Sequence, residues 1–248
     1  MIAPEQRQSL ACVIVTYNRK DDLRRCLSHT LSQDVDVVVV IDNASTDETP
    51  ILLAEMQSQD KRLFVERQGR CRGGSWGFAR GMRWADRLLQ GRGWLLLYDD
   101  DSWPEPGCID TFRKAAPGYQ QQGVAAVGAA VLDTRGRPVE SNRPVLNLFR
   151  RPGEVLAITS QGWRCWRDFY HVPHRILLRR GQKVRVDAVS FVGLFLQLEA
   201  LPRRRGRYPR GGLFLYSDDT TYTLDLGRKG RRMILDSDLI FRHNTTGG

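Results

Sequence analysis

The sequence LLLYDDDS, at residues 95–102, joins an apolar run to three consecutive carboxylates. A short apolar run of this kind predicts a strand that is covered on both faces, as in a parallel sheet. Its acids follow directly, so they lie at the carboxyl end of the strand. In open α/β sheets that edge is where ligands bind. The stretch therefore predicts both a parallel sheet and a binding site at the sheet's edge.

Apolar runs on either side of this stretch extend the prediction to an α/β protein with a Rossmann-like, mostly parallel central sheet flanked by helices. Between residues 11 and 132 they alternate with amphipathic stretches, a pattern typical of parallel strands joined by crossover helices. Predicted strands lie at 11–16, 37–41, 63–65, 94–98 and 124–132. Ser45 followed three residues later by Glu48 predicts a capping box at the start of the second helix.

The second half of the chain has a different pattern. Beyond residue 132 come loops rich in Arg, Gly and Pro, then an apolar segment at 184–198 and a helix–strand pair at 220–241. No internal repeat or low-complexity linker separates the halves. We therefore expect residues 1–248 to form a single domain with a mixed second half, whose strands share the sheet of the first.

Charge and composition limit the class of protein. The net charge is +10 and the pI about 9.8, but the arginines are spread along the chain, which argues against a nucleic-acid-binding arm. A solvated basic surface and an anionic partner, such as a diphosphate or an acidic lipid, both remain open. The sequence lacks the apolar core of a signal peptide, and its five cysteines form no C-x-x-C pair. We expect a cytoplasmic protein with reduced thiols.

The three carboxylates predict a metal site. Because alternate residues of an extended chain point the same way, Asp99 and Asp101 are expected to face one site while Asp100 turns aside. Two carboxylates about 4 Å apart repel by roughly 4 kcal/mol at an effective dielectric constant near 20. A divalent cation, manganese or magnesium, relieves this repulsion and takes its remaining ligands from substrate phosphates. A solvated acidic turn is the alternative.

Three motifs in chain order resemble the family 2 glycosyltransferases. VIVTYNR at 13–19 resembles the family's first strand and nucleotide loop, and VIDNASTD at 40–47 resembles its second strand and base-binding turn. The acids at 99–101 resemble its D-x-D metal motif. The resemblance implies a GT-A fold and a nucleotide diphosphate sugar as donor. It also implies nucleotide contacts from Thr16, Tyr17, Arg19, Asp42, Asp99 and Asp100.

Later segments are most similar to galactofuranosyltransferases. GRCRGGSWGFARG at 69–81 resembles the Gly-rich loop of galactofuranosyltransferases and rhamnosyltransferases, which implies donor contacts from Arg72, Gly73 and Gly74. VDAVSFVGLF at 186–195 and FLYSDD at 214–219 also resemble galactofuranosyltransferases. In that subfamily an acid pair opens the helix of the general base, and a histidine after the following strand completes the metal site. The matching residues here are Asp218, Asp219 and His243.

The resemblance implies an inverting displacement on a hydroxyl of a glycan or lipid-linked glycan. Asp219, in preference to Asp218, is the expected base, and Asp99, Asp101 and His243 are the expected metal ligands. Trp163 and Trp166 are expected either to stack on acceptor sugars or to pack internally. Residues 1–132 would bind the nucleotide sugar and 133–248 the acceptor.

The expected donor is UDP-galactofuranose, with dTDP-rhamnose as the alternative; a non-catalytic nucleotide-sugar binder is a further alternative. A role in cell-surface polysaccharide synthesis, with peripheral contact to the anionic inner face of the plasma membrane, follows from the same resemblance and the positive charge. The Q-x-x-R-W signature of processive synthases is absent from the sequence, which excludes that class.

Overall fold

The computed structural model describes residues 7–146, 170–202, 207–209 and 218–245. These residues form an α/β fold in which helices pack on both faces of one mixed sheet. The strands are β1 (Leu10–Thr16), β2 (Val37–Asp42), β3 (Leu63–Arg67), β4 (Trp94–Asp99), β5 (Ser102–Pro104), β6 (Val124–Asp133), β7 (Lys183–Arg185), β8 (Leu194–Gln197) and β9 (Arg232–His243). The helices are α1 (Lys20–Leu31), α2 (Thr49–Gln59), α3 (Gly74–Leu88), α4 (Cys108–Gln121), α5 (His174–Leu178) and α6 (Asp218–Arg228).

The sheet confirms the predicted α/β class and shows how the two halves are joined. Its strand order is β3-β2-β1-β4-β8-β6-β9-β5, and β7 pairs with β9. Strands β1 to β4 are parallel to one another, as the sequence predicted. In the second half, β8 is antiparallel to both β4 and β6, so the sheet is mixed there. Strands from both halves thus belong to one sheet.

Strand β1 lies at the centre of the core because it is buried along its whole length. Alternate residues of the strand enter different hydrophobic clusters. Leu10, Cys12 and Ile14 pack on one face with residues of α1, α2 and α4. Ala11, Val13 and Val15 pack on the other with residues of α3. A strand covered on both faces in this way has few polar positions, which explains the unbroken apolar run in the sequence.

The carboxyl ends of three neighbouring strands form the edge that matters for function. β1 lies between β2 and β4, so the chain leaves β1 in one direction and later returns on its other side. Such a switch in strand order opens a crevice at the strand ends. Thr16 is in register with Asp42, and Val15 with Asp99. Polar groups from all three strands therefore lie close together.

The start of α2 differs from the prediction, because the Ser45–Glu48 capping box does not form. The helix begins at Thr49, whose N–H is accepted by Oδ1 of Asp47 at 3.0 Å. Ser45 Oγ instead accepts the N–H of Asn18 at 3.0 Å. The serine thus ties the turn after β2 to the loop after β1. In the described part of the chain, no helix combines the length and apolar character needed to span a bilayer.

Two glycines of α3 allow the helix to lie directly on β1. A Cβ added at Gly77 would lie 2.7 Å from Cγ1 of Val15, and one at Gly81 would overlap Cγ1 of Val13. Both valines belong to the central strand, and β-branched side chains have little freedom to move aside. These two glycines therefore serve packing, whereas the predicted donor contacts of this region are Gly73 and Gly74.

We expect Gly81→Ala to lower the free energy of unfolding. Overpacking of a core costs about 1–3 kcal/mol, and this exceeds the gain of roughly 1 kcal/mol that alanine brings to a helix interior. Gly118→Ala is the matched control in α4, because no heavy atom lies within 4 Å of its added Cβ. That variant should gain up to about 1 kcal/mol. Urea denaturation measures both, and a stabilised Gly81→Ala would contradict the packing role.

Candidate active site

The three acids do not lie on one extended strand. β4 ends at Asp99, and Asp100 and Asp101 form a turn that leads into β5. The alternation argument for their orientation is therefore wrong. The turn nevertheless separates the side chains: Asp100 contacts the end of β1, whereas Asp101 lies against the end of β9.

Asp100 is buried against the nucleotide loop predicted at residues 13–19. Its Oδ2 accepts a hydrogen bond from Oγ1 of Thr16 at 2.6 Å, and Tyr17 donates its backbone N–H to the same carboxylate. Arg19 Nη1 lies 3.9 Å from Oδ1. Burial, opposed by the hydrogen bond from Thr16, raises the pKa of Asp100 to about 7. The predicted residues Thr16, Tyr17 and Arg19 thus meet at one point beside the acidic turn.

Asp42 lies at the bottom of the predicted base-binding turn and is fully buried. Its Oδ1 accepts the N–H of Ser45 at 2.8 Å. Its Oδ2 is also buried and accepts no hydrogen bond from the described residues, although Nε of Arg67 lies 3.5 Å away. A buried acceptor without a donor is unusual in a folded protein, and a ligand N–H or O–H would satisfy it.

The Gly-rich loop lies beside this turn. The backbone N–H of Arg72 donates to Oδ1 of Asn43 at 3.0 Å, and the guanidinium of Arg72 lies 4.9 Å above the ring of Trp76. Gly73 has a φ of +83°, a backbone conformation that residues other than glycine rarely adopt. Helix α3 begins at Gly74, where an added Cβ would meet no heavy atom within 4 Å. The loop therefore presents open backbone next to Asn43.

On the other side of the acidic turn, Asp101 faces His243. Oδ1 of Asp101 lies 3.3 Å from Nε2 of His243, and Oδ2 accepts a hydrogen bond from Nη1 of Arg19. Burial by itself would raise the pKa of Asp101, but His243 and Arg19 outweigh it and the pKa is lowered. Oδ1 is buried and makes no hydrogen bond of normal geometry to the described residues.

Asn142 orients this histidine and was not predicted from the sequence. Its Oδ1 lies 2.9 Å from Nδ1 of His243, and its Nδ2 donates to Oγ of Ser190 at 3.0 Å. The bond to Ser190 makes Oδ1 the atom that faces the imidazole, so the neutral ring carries its proton on Nδ1. The neutral ring then has its lone pair on Nε2, as a metal-binding histidine requires, whereas the protonated ring donates from Nε2 toward Oδ1 of Asp101. Asn142 lies in a three-residue helical turn far from any motif, so no local pattern pointed to it.

Asp99 and Asp219 complete the acidic side of the site. Desolvation, followed by the charges of Asp101 and Asp100, raises the pKa of Asp99 to about 7, and the charge of Asp219 acts in the same direction. Asp219 therefore lies within electrostatic reach of Asp99. It is partly exposed in the first turn of α6, and its Oδ1 accepts the N–H of Thr220 at 2.6 Å.

Three predicted residues lie where the structure gives no side-chain information. Asp218 opens α6, but its side chain is outside the described set, as are Trp163 and Trp166. Their assigned roles remain predictions.

Oxygen and imidazole ligands are present for a divalent cation, although they do not form a finished cage. Among the residues that the structure describes, no three His, Cys, Asp or Glu side chains are grouped as a complete metal site. Asp101 and His243 form a close pair, and Asp99 is near both. Oδ1 of Asp101 accepts no hydrogen bond of normal geometry from the described residues. A partial set of this kind suits a cation that takes its other ligands from phosphates.

Several solved structures have a fold similar to that of this chain. GalNAc-T7 with UDP, GalNAc and Mn²⁺ aligns with a TM-score of 0.66 at 13% identity, over 97% of this chain and 44% of that one. TarS 1–349 of S. aureus in complex with UDP aligns with a TM-score of 0.62 at 16% identity, over 96% of this chain and 60% of that one. The mannosyltransferase PcManGT of Pyrobaculum calidifontis, in complex with GDP-Man and Mn²⁺, aligns with a TM-score of 0.55 at 18% identity, over 97% of this chain and 59% of that one. The fold is therefore of the GT-A type.

The sequence profile of glycosyl transferase family 2 matches residues 11–181, which include the nucleotide loop, the base-binding turn and the three acids. The chain belongs to this family. It spans 44% of the GalNAc-T7 chain and 60% of the TarS fragment. No curated protein sequence matches it significantly. The family match does not reach the level of a subfamily, so the resemblance to galactofuranosyltransferases remains a prediction.

Proposed function

We propose that this protein is a glycosyltransferase that moves a sugar from a nucleoside diphosphate to an acceptor hydroxyl, with inversion and with the help of a divalent cation. One observation carries the proposal. At the acidic turn and the neighbouring end of β2, two buried carboxylate oxygens, Oδ2 of Asp42 and Oδ1 of Asp101, accept no hydrogen bond of normal geometry from the described residues. Oδ2 of Asp42 suits a hydrogen-bond donor of the nucleotide, and Oδ1 of Asp101 suits a cation.

The nucleotide would bind along the ends of β1 and β2. Oδ2 of Asp42 would accept an N–H of the base or a hydroxyl of the ribose. Tyr17, 45% exposed beside Asp100, offers an aromatic face to the base. Backbone at Gly73 and Gly74, with the guanidinium of Arg72, would contact the diphosphate at the start of α3.

The cation would be held by Asp101, His243 and Asp99. When bound, it neutralises the negative charge that develops on the departing diphosphate. Asn142 orients the imidazole, and Arg19 holds the other oxygen of Asp101. Manganese and magnesium both fit these ligands. Structures of similar fold that were crystallised with Mn²⁺ support a divalent cation here.

Asp219 would accept the proton of the acceptor hydroxyl as that oxygen attacks the anomeric carbon. Its place in the first turn of α6 puts a carboxylate beside the free N–H groups of a helix start, which interact favourably with it. Its electrostatic coupling to Asp99 supports a location beside the cation. Asp218, one residue earlier, is the alternative base.

For the donor, the motifs at 69–81, 186–195 and 214–219 favour UDP-galactofuranose, with dTDP-rhamnose as the alternative. The acceptor would be a glycan or a lipid-linked glycan of a cell-surface polysaccharide. The net charge of +10 supports peripheral contact with an anionic membrane at its cytoplasmic face.

A panel of nucleotide sugars tests this proposal by thermal unfolding with and without Mn²⁺. The true donor should stabilise the protein only with the metal, since a ligand at 100 times its dissociation constant adds about 2.7 kcal/mol. We expect UDP-galactofuranose to give the largest shift and to be hydrolysed slowly. Stabilisation by no nucleotide sugar would contradict the proposal. Stabilisation without hydrolysis or transfer would favour the non-catalytic binder.

A further inference from the structure

A cavity of about 540 Å³ opens beside the site and is not used by the donor, cation or base assigned above. Its volume lies within the range of about 300–1,000 Å³ that is typical of small-ligand sites. Its wall combines acidic, basic and apolar side chains: Asp133, Arg137, Pro138, Val139, Glu140, His174 and Thr245.

The polar groups of this wall are held in place by their own partners. Glu140 accepts hydrogen bonds from Nη1 of the buried Arg143, at 2.8 Å, and from Nε2 of His174. Asp133 accepts the backbone N–H of Arg135 and of Arg137, at 2.9 and 2.8 Å. Because each carboxylate oxygen has two lone pairs, both carboxylates keep capacity for a ligand hydroxyl. A ligand would therefore meet preorganised acceptors.

The cavity adjoins the metal side of the site. Asp133 is in register with His243 across β6 and β9, and Thr245 follows His243 by two residues. Glu140 begins the helical turn whose last residue, Asn142, contacts the imidazole. In the sheet order, β6 and β9 lie on the opposite side of β4 from β1 and β2. The cavity and the predicted base-binding turn therefore lie on opposite sides of the acidic turn.

The lining indicates the chemical class of ligand. Asp133 and Glu140 are offset by the guanidinium groups of Arg137 and Arg143, so the wall has little net charge. The wall offers carboxylate acceptors and the guanidinium donors of Arg137, which suit the hydroxyls of a sugar. Pro138 and Val139 supply an apolar surface for the C–H face of a ring. A neutral sugar satisfies all of these features, whereas a phosphorylated or carboxylated ligand would lie against two carboxylates.

We infer that this cavity binds a neutral sugar residue of the acceptor glycan, with Glu140 and His174 contacting its hydroxyls. The inference rests on the proposed function and adds the acceptor's location and class. The donor would then approach from the β1–β2 side of the acidic turn and the acceptor from the β6–β9 side.

Saturation-transfer NMR with methyl glycosides tests the inference on the whole chain, in the presence of UDP and Mn²⁺. The probes are neutral methyl hexosides and deoxyhexosides, methyl glucuronide and methyl glucosaminide. We expect at least one neutral glycoside to bind the wild type. Glu140→Gln and His174→Ala should each weaken that binding about tenfold, as loss of a charge-assisted hydrogen bond does. Arg175→Ala, at an exposed neighbour outside the lining, should not.

UDP affinity, measured by calorimetry on the same variants, separates the two claims. Unchanged UDP affinity with lost glycoside binding supports the acceptor cavity. Wild-type glycoside binding in both lining variants would overturn it, as would binding of the charged glycosides alone or of none. If UDP fails to bind the wild type, the proposed function fails, whatever the glycosides do. His174 is 45% exposed in its side chain, so its variant tests the cavity even if Glu140→Gln folds poorly.

Discussion

Asp219→Asn is expected to lower turnover about 100- to 10,000-fold, the usual contribution of a general base. The carboxylate lies in the first turn of α6, partly exposed and electrostatically coupled to Asp99. Within the described part of the chain it has no hydrogen bond or ion pair with Thr16, Asp42 or Arg72, the proposed nucleotide contacts. Its loss should therefore act on the transition state and leave nucleotide affinity nearly unchanged.

Steady-state transfer and UDP calorimetry together measure this effect. Asp225→Asn is the matched control, because it removes the same charge from the same helix at a surface pair with Arg228. Asp218→Asn should lose less activity than Asp219→Asn. The opposite order would make Asp218 the base. If turnover falls by no more than about tenfold in either variant, the assignment of a base to this acid pair is wrong.

Asp101→Asn is expected to have the second large effect, through the cation. The neutral amide keeps the shape of the side chain but removes the negative charge from Oδ1. In the described site this oxygen accepts no hydrogen bond of normal geometry. Replacing a residue that only orients a metal ligand already lowers metal affinity about 10- to 100-fold. Replacing a direct ligand should therefore lower it at least as much. UDP affinity with Mn²⁺ should fall by that factor, and activity with it.

The control for this variant is Asp110→Asn, an exposed acid in the first turn of α4. It makes the same change in net charge away from the site. Without metal, Asp101→Asn and wild type should bind UDP with similar affinity. Full activity in Asp101→Asn would show that the acidic turn does not hold the cation.

The first half of the fold was predictable because its strands are buried on both faces. β1, β2 and β4 are nearly continuous apolar runs in the sequence. The predicted bounds of each strand differ from the observed ones by a single residue at one end. The same property placed Thr16, Asp42 and Asp99 at one edge, since parallel strands end together. Local pattern was sufficient where it coincided with a regular parallel sheet.

The second half depends on contacts between distant residues, and these leave little local trace. β7 is only three residues long, and β8 is an antiparallel strand within the predicted apolar segment at 184–198. Gly81 could not be assigned to packing until Val13 was known to lie against it. Asn142 contacts His243 across a separation of 101 residues. Spacing within a sequence carries no signal for such pairs.

Isothermal titration calorimetry of UDP into the wild-type protein, with Mn²⁺ and then with EDTA, tests most directly whether nucleotide and cation share one site. If Asp99, Asp101 and His243 hold a cation that also binds the diphosphate, chelation should weaken UDP binding at least about tenfold. Adding Mn²⁺ back should restore it. Equal UDP affinity with and without the metal would contradict the account.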